Sequence, residues 1–336
     1  MRFLKKLLAV LVVIAIAVVG VAFFLPDNVH VERATTIARP PSEVFAVLDS
    51  YRRFNDWSPW FELDPKAQYT YSGPTAGVGA KESWVGNKDV GSGSQEIVEA
   101  KPNEFVKVAL DFGDMGKATA TYRLAPEGQG TKLVWGFDSN ANGNLVKRLF
   151  GLMMDSMIGK DYEKGLAKLK TLVEALPNAD VAGVEGKEIS AAAEKIYFVS
   201  ASSSNDPAAI KDVISEAYGK IGAFLKQNGI AMAGAPLTIT TSYDASGWKF
   251  DAAIPVERND AAAAGDVQAG STYAGKAVEF MHVGPYDKLG ETIPKAYLWL
   301  TIQGYKPKDR LIEEYVSDPG NTPPEQLKTR IVIPVE

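Results

Sequence analysis

The hydrophobic pattern of the chain begins with one unbroken apolar run. Leu7 to Leu25 is nineteen residues long and contains no charged residue. At about 1.5 Å per residue, a helix of this length crosses the hydrocarbon core of a bilayer. Arg2, Lys5 and Lys6 precede the run, and Asp27 follows it. The pattern predicts a single-pass anchor in the inner (plasma) membrane, with the N-terminus in the cytoplasm and the remaining chain outside it.

The same run leaves a second interpretation open, which is a cleaved signal peptide. Gly20-Val21-Ala22 is a passable small-x-small cleavage site. The run is long for a signal core, and two phenylalanines follow the site directly, which favours the uncleaved anchor. Under either interpretation the rest of the chain is periplasmic or otherwise extracytoplasmic.

The next part of the chain has the pattern of a sheet followed by a long helix. Val29 to Ile37 alternates as a strand does, and Pro41 with Glu43 is typical of a first helical turn. Apolar residues at three- and four-residue spacing predict a helix over Leu145 to Leu176. Between them, turn signals separate six strands of a predicted antiparallel meander: Gln68 to Tyr71, Lys81 to Val85, Gly93 to Ala100, Phe105 to Phe112, Ala118 to Leu124 and Thr131 to Asp138.

Large apolar side chains in this part suggest a cavity. Trp57 and Trp60 flank a Ser-Pro pair, and the residue before a proline avoids the helical conformation, so a loop is predicted there. We expect both tryptophans, together with Trp84, to line or cover an apolar cavity. Met153 on the long helix has two interpretations, an adaptable ceiling to that cavity or ordinary core packing, and the second is favoured.

The last part of the chain is an internal repeat. The letters Ile-Pro-Val-Glu close the chain and also occur at 254–257. An amphipathic helix before each of them ends in a glycine, Gly229 or Gly304, at an offset of 304 − 229 = 75. Each copy, at about 195–257 and 274–336, predicts a strand, a helix and two strands. Two such units that pack together leave a seam in which a ligand can bind.

These patterns divide the chain into four parts. Residues 1–28 form the anchor, 29–176 the first domain, 177–194 a flexible connector without periodicity, and 195–336 the repeat domain. A length of 336 residues suits two domains of ordinary size. The predicted fold class is α+β, with an N-terminal transmembrane helix before two antiparallel sheets.

The amino-acid composition excludes several kinds of functional site. The chain has no cysteine and two histidines, which excludes disulfides, thiolate nucleophiles and multi-histidine metal centres. Its net charge is −5 and no basic run interleaved with aromatic residues is present, so nucleic acid is a poor candidate partner. We predict no metal, no cofactor and no catalytic residue.

Motifs spread over the whole first domain carry a family resemblance: Pro41-Ser42-Glu43-Val44-Phe45, Trp57-Ser58-Pro59-Trp60, Tyr71-Ser72-Gly73-Pro74, Gly77-Val78-Gly79, Ser83-Trp84-x-Gly86-Asn87, Gly130-Thr131 and Gly159 to Leu166. They resemble the polyketide-cyclase (SRPBCC) branch of the START-like superfamily. The resemblance implies a helix-grip fold, in which a curved sheet wraps a long helix around a cavity for a hydrophobic ligand. It does not imply a cyclase, because such folds host many functions.

About sixty residues of the second repeat carry another resemblance: His282-Val283-Gly284-Pro285-Tyr286, Trp299-Leu300, Glu313-Glu314-Tyr315, Asp318-Pro319 and the closing Ile-Pro-Val. They resemble the GyrI-like, or effector-binding, domain. The resemblance implies a pseudo-symmetric pocket with a buried glutamate that receives bulky, often cationic, hydrophobic compounds. The ligand-binding residues expected there are Glu313, Tyr315, Tyr286 and Trp299.

The strand period agrees with this choice of glutamate. Period two from Leu311 to Val316 puts Glu313 and Tyr315 on one face and Glu314 on the other. A carboxylate among aromatic walls is costly unless a cation or hydrogen bonds compensate it, and aromatic faces add cation–π attraction. The alternative is a rim glutamate paired with a lysine. Position 238, at 313 − 75, is a threonine, so the pocket would carry one acid.

Two further residues bear on this pocket. Arg330 stands in the last strand where the family often carries an acid, and it would neutralise Glu313 if it faced inward. His282 has no serine, cysteine or metal partner signalled near it, so we expect it to pack at a strand-to-helix corner.

The patterns together predict a membrane-anchored binding protein for hydrophobic or amphipathic small molecules or lipids. It would act in sensing, sequestration or transfer. The alternative is an enzyme, a hydrolase or cyclase of a hydrophobic ring compound, with Glu313 as acid or base. A third possibility is a lipid-facing assembly factor. The predicted location outside the cytoplasm argues against a transcription factor.

Overall fold

The elements fall into an N-terminal helix and two sheet-containing units. The computed structural model describes residues 2–177, 180–308 and 310–336. It separates into Met1–Asp180 and Val181–Glu336. Both sheets are antiparallel and a long helix follows the first one, so the predicted α+β class is confirmed. The part of the predicted connector at 178 and 179 lies outside the described residues.

The N-terminal helix α1 spans Arg2–Phe24. Within it, Lys6–Phe24 is long and apolar enough to cross a membrane, and no other described helix is. A signal sequence has the same length and composition, so both interpretations of this segment stand.

The first unit contains one seven-stranded sheet. Its elements are β1 Asn28–Ile37, α2 Pro41–Leu48, α3 Phe54–Trp57, β2 Gln68–Ser72, β3 Lys81–Val85, β4 Ser92–Lys101, β5 Phe105–Asp111, β6 Lys117–Glu127, β7 Gly130–Asn140 and α4 Leu145–Glu174. The strand order is β1-β7-β6-β5-β4-β3-β2. The six predicted strands therefore form the meander expected of short connections, and β1 extends it by pairing with β7.

Helix α4 is fixed at its start and packed along its second half. The Asn144 side chain caps it by accepting from two backbone amides of the first turn. The Tyr162 ring stacks on Trp135 of β7 with ring centres 3.7 Å apart. Gly165 allows this approach, because a Cβ there would lie 2.7 Å from the Trp135 ring. The core of the first unit lies between this half of α4 and the sheet.

The second unit contains one eight-stranded sheet. Its elements are β8 Lys187–Ala191, β9 Lys195–Ser203, α5 Pro207–Gln227, β10 Leu237–Asp244, β11 Gly247–Pro255, β12 Gln268–Ser271, β13 Gly275–Val283, α6 Leu289–Ile302, β14 Leu311–Tyr315 and β15 Lys328–Pro334. The strand order is β12-β9-β11-β10-β14-β15-β13-β8. The two predicted copies occupy the two halves of this sheet and meet where β10 pairs with β14.

Strand β8 corrects the prediction of an irregular connector. It pairs with β13 of the second copy, with Ala191 opposite Gly275 and Lys187 opposite Glu279. Strand β12, which precedes the second copy, pairs in turn with β9 of the first. Each copy thus has a leading strand at the outer edge of the other copy. Distant backbone groups stabilise these strands, so local periodicity did not reveal β8.

Candidate functional site

The centre of the second sheet holds one acid at the boundary between the two copies. Thr238 of β10 and Glu313 of β14 lie directly opposite each other. Their separation, 313 − 238 = 75, equals the offset between the two copies. The two residues are therefore repeat equivalents that face each other across the pseudo-twofold axis.

The carboxyl group of Glu313 is buried and weakly compensated. Its side chain is 6% exposed, and the Tyr315 hydroxyl donates to Oε2 at 3.5 Å. A hydrogen bond of 3.1 Å joins that hydroxyl to Thr238. Burial raises the pKa of Glu313 to about 7, against a smaller lowering by the Tyr315 hydrogen bond. The group is therefore poised between its neutral and charged forms near neutral pH.

Tyrosines from both copies surround this carboxyl. Tyr286, in the turn before α6, packs edge-on against Tyr315 with ring centres 5.3 Å apart. Tyr218 of α5 donates its hydroxyl to the carbonyl oxygen of Leu237 at 2.8 Å. Burial raises the pKa of Tyr218, and the nearby charge of Glu313 raises it further. The structure therefore brings Glu313, Tyr315 and Tyr286 together and adds Tyr218, which the sequence did not single out.

Arg330 does not neutralise Glu313. It donates to Glu279 through Nε and to Glu314 through Nη1, both at 2.9 Å. Because Glu314 points to the opposite face of β14 from Glu313, these ion pairs do not involve the carboxyl group of Glu313. Among the ion pairs of the described residues, none involves Glu313. The alternative of a rim glutamate paired with a lysine does not describe this residue, which is buried.

Trp299 packs against aromatic side chains of its own copy. Its ring packs edge-on against Phe280 at 5.5 Å and lies nearly parallel to Tyr305 at 6.1 Å. A Cβ on Gly186 would lie 2.6 Å from the Trp299 ring, so the chain before β8 covers its outer side. The helical spacing of α6 turns this residue into the core of its own copy. Phe280 lies in register with Ile331 and Glu313, so Trp299 covers the same face of the sheet, and its part in ligand binding stays a prediction.

His282 is buried at the end of β13 and has two polar contacts. Nδ1 lies 2.8 Å from the Thr292 hydroxyl and Nε2 lies 3.2 Å from the Pro285 carbonyl oxygen. These contacts fix the turn between β13 and α6. The imidazole therefore occupies the corner position expected for it.

In the first unit, two of the predicted tryptophans join the core. The Trp57 ring lies edge-on to Trp135 at 5.4 Å. Trp60 packs edge-on against the same ring at 6.0 Å and donates its indole N–H to Asp161 of α4 at 3.2 Å. Trp84 lies apart from them and contacts Phe112 at 6.0 Å. Trp57 and Trp60 thus lie together under α4, and Trp84 does not belong to that cluster.

The exposure of Met153 contradicts both interpretations given for it, the ceiling of a cavity and ordinary core packing. Its side chain is 54% exposed on the first half of α4, so it neither covers an enclosed cavity nor fills the core. The buried residues of α4 begin only at Gly159, because the helix meets the sheet with its second half.

A second buried carboxyl, in the first unit, escaped the sequence analysis. Glu82 of β3 is fully buried, and Gln95 donates its amide to Oε2. Burial raises the pKa of Glu82 to about 7, against lowering by hydrogen bonds from Gln95 and Tyr71. Its Oε1 has no hydrogen-bond partner in the described structure, and neither do the buried polar atoms Tyr51 Oη, Trp57 Nε1 and Trp135 Nε1. Strand alternation could have revealed it, since period two puts Glu82 on the same face as Trp84.

An open groove of about 890 Å³ on the first sheet is unrelated to these groups. Its wall mixes basic side chains such as Lys107 and Arg123 with acidic ones such as Glu99 and Glu104. Neither buried carboxyl lines it, so it carries no part of the candidate sites.

Two family matches cover most of the chain. Residues 28–174 match the family described as polyketide cyclase / dehydrase and lipid transport. Residues 190–336 match the GyrI-like small molecule binding domain. Both resemblances found in the sequence are thereby confirmed, in the predicted order.

Several solved structures are similar to parts of the chain. A hydrolase from Listeria innocua is 16% identical, with a TM-score of 0.35 over 45% of this chain and 92% of its own. EcmrR in complex with DNA is 17% identical, with a TM-score of 0.41 over 57% of this chain and 71% of its own. The di-domain ARO/CYC StfQ from the steffimycin biosynthetic pathway is 12% identical, with a TM-score of 0.34 over 44% and 51%. No curated protein matches the chain.

Proposed function

We propose that this protein binds amphipathic compounds. The chain carries a polyketide cyclase / dehydrase and lipid transport domain, which is followed by a GyrI-like small-molecule-binding domain. The preferred ligands of its second domain are hydrophobic cations. The protein senses, sequesters or hands over such compounds, and it does so outside the cytoplasm while attached to the membrane.

The observation that carries this proposal is the state of Glu313. It is buried on the axis between the two copies, and its hydrogen bond from Tyr315 is long. A charged carboxylate there costs free energy that a ligand cation would recover. Tyr286 and Tyr315 offer aromatic faces and edges to the apolar part of the ligand, and aromatic faces attract cations.

The first domain, over residues 29–176, takes the apolar ligand implied by its family into the interior between α4 and the sheet, where aromatic side chains pack against one another. Trp57 and Trp60 form part of its wall, and Trp84 lies nearer the edge of the sheet beside Phe112. Glu82 supplies a polar group to the same interior. The GyrI-like domain, over 195–336, is the second binding module.

The proposed location follows from α1. An apolar helix of this length with basic residues before it and acidic ones after it is retained with its N-terminus in the cytoplasm. Both domains are then extracytoplasmic, and the first of them lies close to the bilayer, because β1 begins at Asn28.

Titration of the full chain with two ions of matched shape tests the proposal. Tetraphenylphosphonium is a hydrophobic cation, and tetraphenylborate is an anion of the same size. The cation should bind saturably to the wild type and to Glu314→Gln. Glu313→Gln is nearly isosteric, and its affinity for the cation should fall by about 1.5–3 kcal/mol, the scale of a hydrogen bond or pairing to a charged group. Tetraphenylborate controls for apolar attraction alone.

Two outcomes would contradict the assignment. If Glu314→Gln weakens cation binding and Glu313→Gln does not, the ligand site lies on the opposite face of β14. If both ions bind equally well and neither substitution matters, the domain does not select cations through this carboxyl.

A further inference from the structure

The first half of α4 carries an apolar stripe on its outer surface. Val146, Phe150, Met153 and Met157 follow one another at spacings of four, three and four residues, which places them on one face of the helix. Each is between 54% and 61% exposed. A contiguous apolar surface of this kind is typical of an interaction site. We call these four residues the α4 stripe.

The stripe begins at the point where the apolar helix α1 ends. Arg148, in the first turn of α4, donates from Nη1 to the carbonyl oxygen of Phe23 at 2.7 Å. The same guanidinium binds both carboxylate oxygens of Asp27, each at 2.9 Å. Ala22 is fully buried in this region. These contacts hold the start of α4 directly against the last turn of α1.

This attachment limits what can cover the stripe. If α1 spans the bilayer, its last turn lies at the membrane–water boundary, and the first half of α4 lies there too. Phe23 and Phe24 are also exposed at this end, and aromatic residues are enriched at membrane interfaces. An amphipathic helix at that level buries its apolar face about 5–10 Å into the boundary between headgroups and acyl chains.

We propose that the α4 stripe docks the first domain onto the lipid surface of the membrane in which α1 is anchored. The proposal rests on the anchor assigned above, and it adds a second membrane contact contributed by the folded domain. The same face of α4 changes character farther along. Seven-residue steps from Met157 reach Lys164, which pairs with Glu62, and then the exposed Thr171. The lipid contact is therefore confined to the end of α4 that is next to α1.

Single-cysteine labelling tests the contact, because the chain has no cysteine of its own. An environment-sensitive fluorophore is attached to Phe150→Cys, Met153→Cys or Met157→Cys of the full chain. Thr171→Cys is the matched control, since it lies on the same helix face about 27 Å beyond Met153. The proteins are reconstituted in vesicles of phosphatidylcholine and phosphatidylglycerol, with or without brominated acyl chains as quencher. All four positions are exposed, so labelling them leaves the core unchanged.

We expect brominated lipid to quench the three stripe labels several-fold more strongly than the Thr171→Cys label. Equal quenching at all four positions in protein that floats with the vesicles would overturn the stripe contact and leave the anchor intact. Stripe labels that are shielded from water and yet not quenched by brominated lipid would overturn it as well, because another protein surface would then cover them. Protein that does not float with the vesicles would overturn the anchor and the stripe together.

Discussion

Glu313 and Glu314 are adjacent in sequence and differ in almost every physical respect. Strand alternation sends the first to the axis of the second domain and the second toward Arg330 on the other face. Glu313 is left among tyrosines with one long hydrogen bond. Glu314 pairs with a guanidinium that is also bound by Glu279. Among the described residues, Glu313 thus has no charged partner, whereas Glu314 has one.

This difference predicts a pH dependence of stability. The pKa of Glu313 is about 7 in the folded chain and takes its ordinary value, near 4.5, in the unfolded chain. Both states are protonated below the ordinary value, so the folded chain has its full stability there. Between about pH 4.5 and 7 only the unfolded chain loses this proton, so the unfolding free energy falls with rising pH. Above 7 the charge sits in the buried site and the loss is complete, at about 3 kcal/mol.

Glu313→Gln should remove this loss, so the variant should be more stable than the wild type at pH 8 and differ less at pH 4. Urea unfolding followed by circular dichroism at both pH values measures it. Glu82→Gln is the matched variant for the first domain, because the pKa of Glu82 is also about 7. A stability difference between Glu313→Gln and the wild type that is the same at pH 4 and pH 8 would mean that a partner already neutralises the carboxyl.

Among individual residues, the sequence predicted Glu313, Tyr315 and Tyr286 as neighbours, because the strand period and the family motif both indicated them. Tyr218 was not predicted, since its distance from Glu313 depends on how the two copies meet. Glu82 was missed because it occupies an inward position where alternation predicts an apolar residue. The part of Trp299 in ligand binding stays a prediction, since its ring packs against Phe280 and Tyr305 of its own copy.

At the scale of elements, two helical glycines should respond in opposite ways to alanine. A Cβ at Gly165 of α4 would lie 2.7 Å from the Trp135 ring and 3.2 Å from Pro59, whereas at Gly219 of α5 it would meet nothing within 4 Å. Gly165→Ala should therefore lower the unfolding free energy by roughly 1–3 kcal/mol through overpacking. Gly219→Ala should raise it by roughly 0.5–1 kcal/mol through helix propensity.

Thermal and urea unfolding of both variants measure these changes in unfolding free energy. A stabilising Gly165→Ala would show that α4 can move away from β7, and the close stacking of Tyr162 on Trp135 would then not be a constraint on the fold.

The elements that the sequence predicted well are those with strong local signals. Turn residues delimited β2 to β7, and a proline opened α2, so these bounds agree with the structure to within a few residues. Strand β8 is short and gains its hydrogen bonds from β13, which no local pattern reveals. The first half of α4 has apolar spacing like the second half, but only the second half packs on the sheet. Periodicity identified the helix without telling which surface covers it.

At the scale of the whole molecule, the proposed location of the two domains rests on α1. A reporter enzyme that is active only outside the cytoplasm, fused after Glu336, should be active in the full-length fusion. Reversing the charge balance by replacing Arg2, Lys5 and Lys6 with glutamate should reduce that activity, because basic residues flanking the span keep the N-terminus inside. Activity of the matching cytoplasm-specific reporter in the unmodified fusion would contradict the proposed location.

If Glu313 receives the charge of a hydrophobic cation, binding of that cation is coupled to the release of a proton. At pH 6 a carboxyl with a pKa of about 7 is about 90% protonated, and a bound cation lowers that pKa again. Tetraphenylphosphonium itself does not titrate. Calorimetric titration in buffers of different ionisation enthalpy counts the protons released.

The number of protons released is compared between pH 6 and pH 9, and between the wild type and Glu313→Gln. The wild type should release close to one proton per bound tetraphenylphosphonium at pH 6 and none at pH 9, where the carboxylate is already charged. Glu313→Gln should bind the cation more weakly and release none at either pH. Binding at pH 6 without proton release in the wild type, or with the same release in Glu313→Gln, would contradict the role assigned to Glu313.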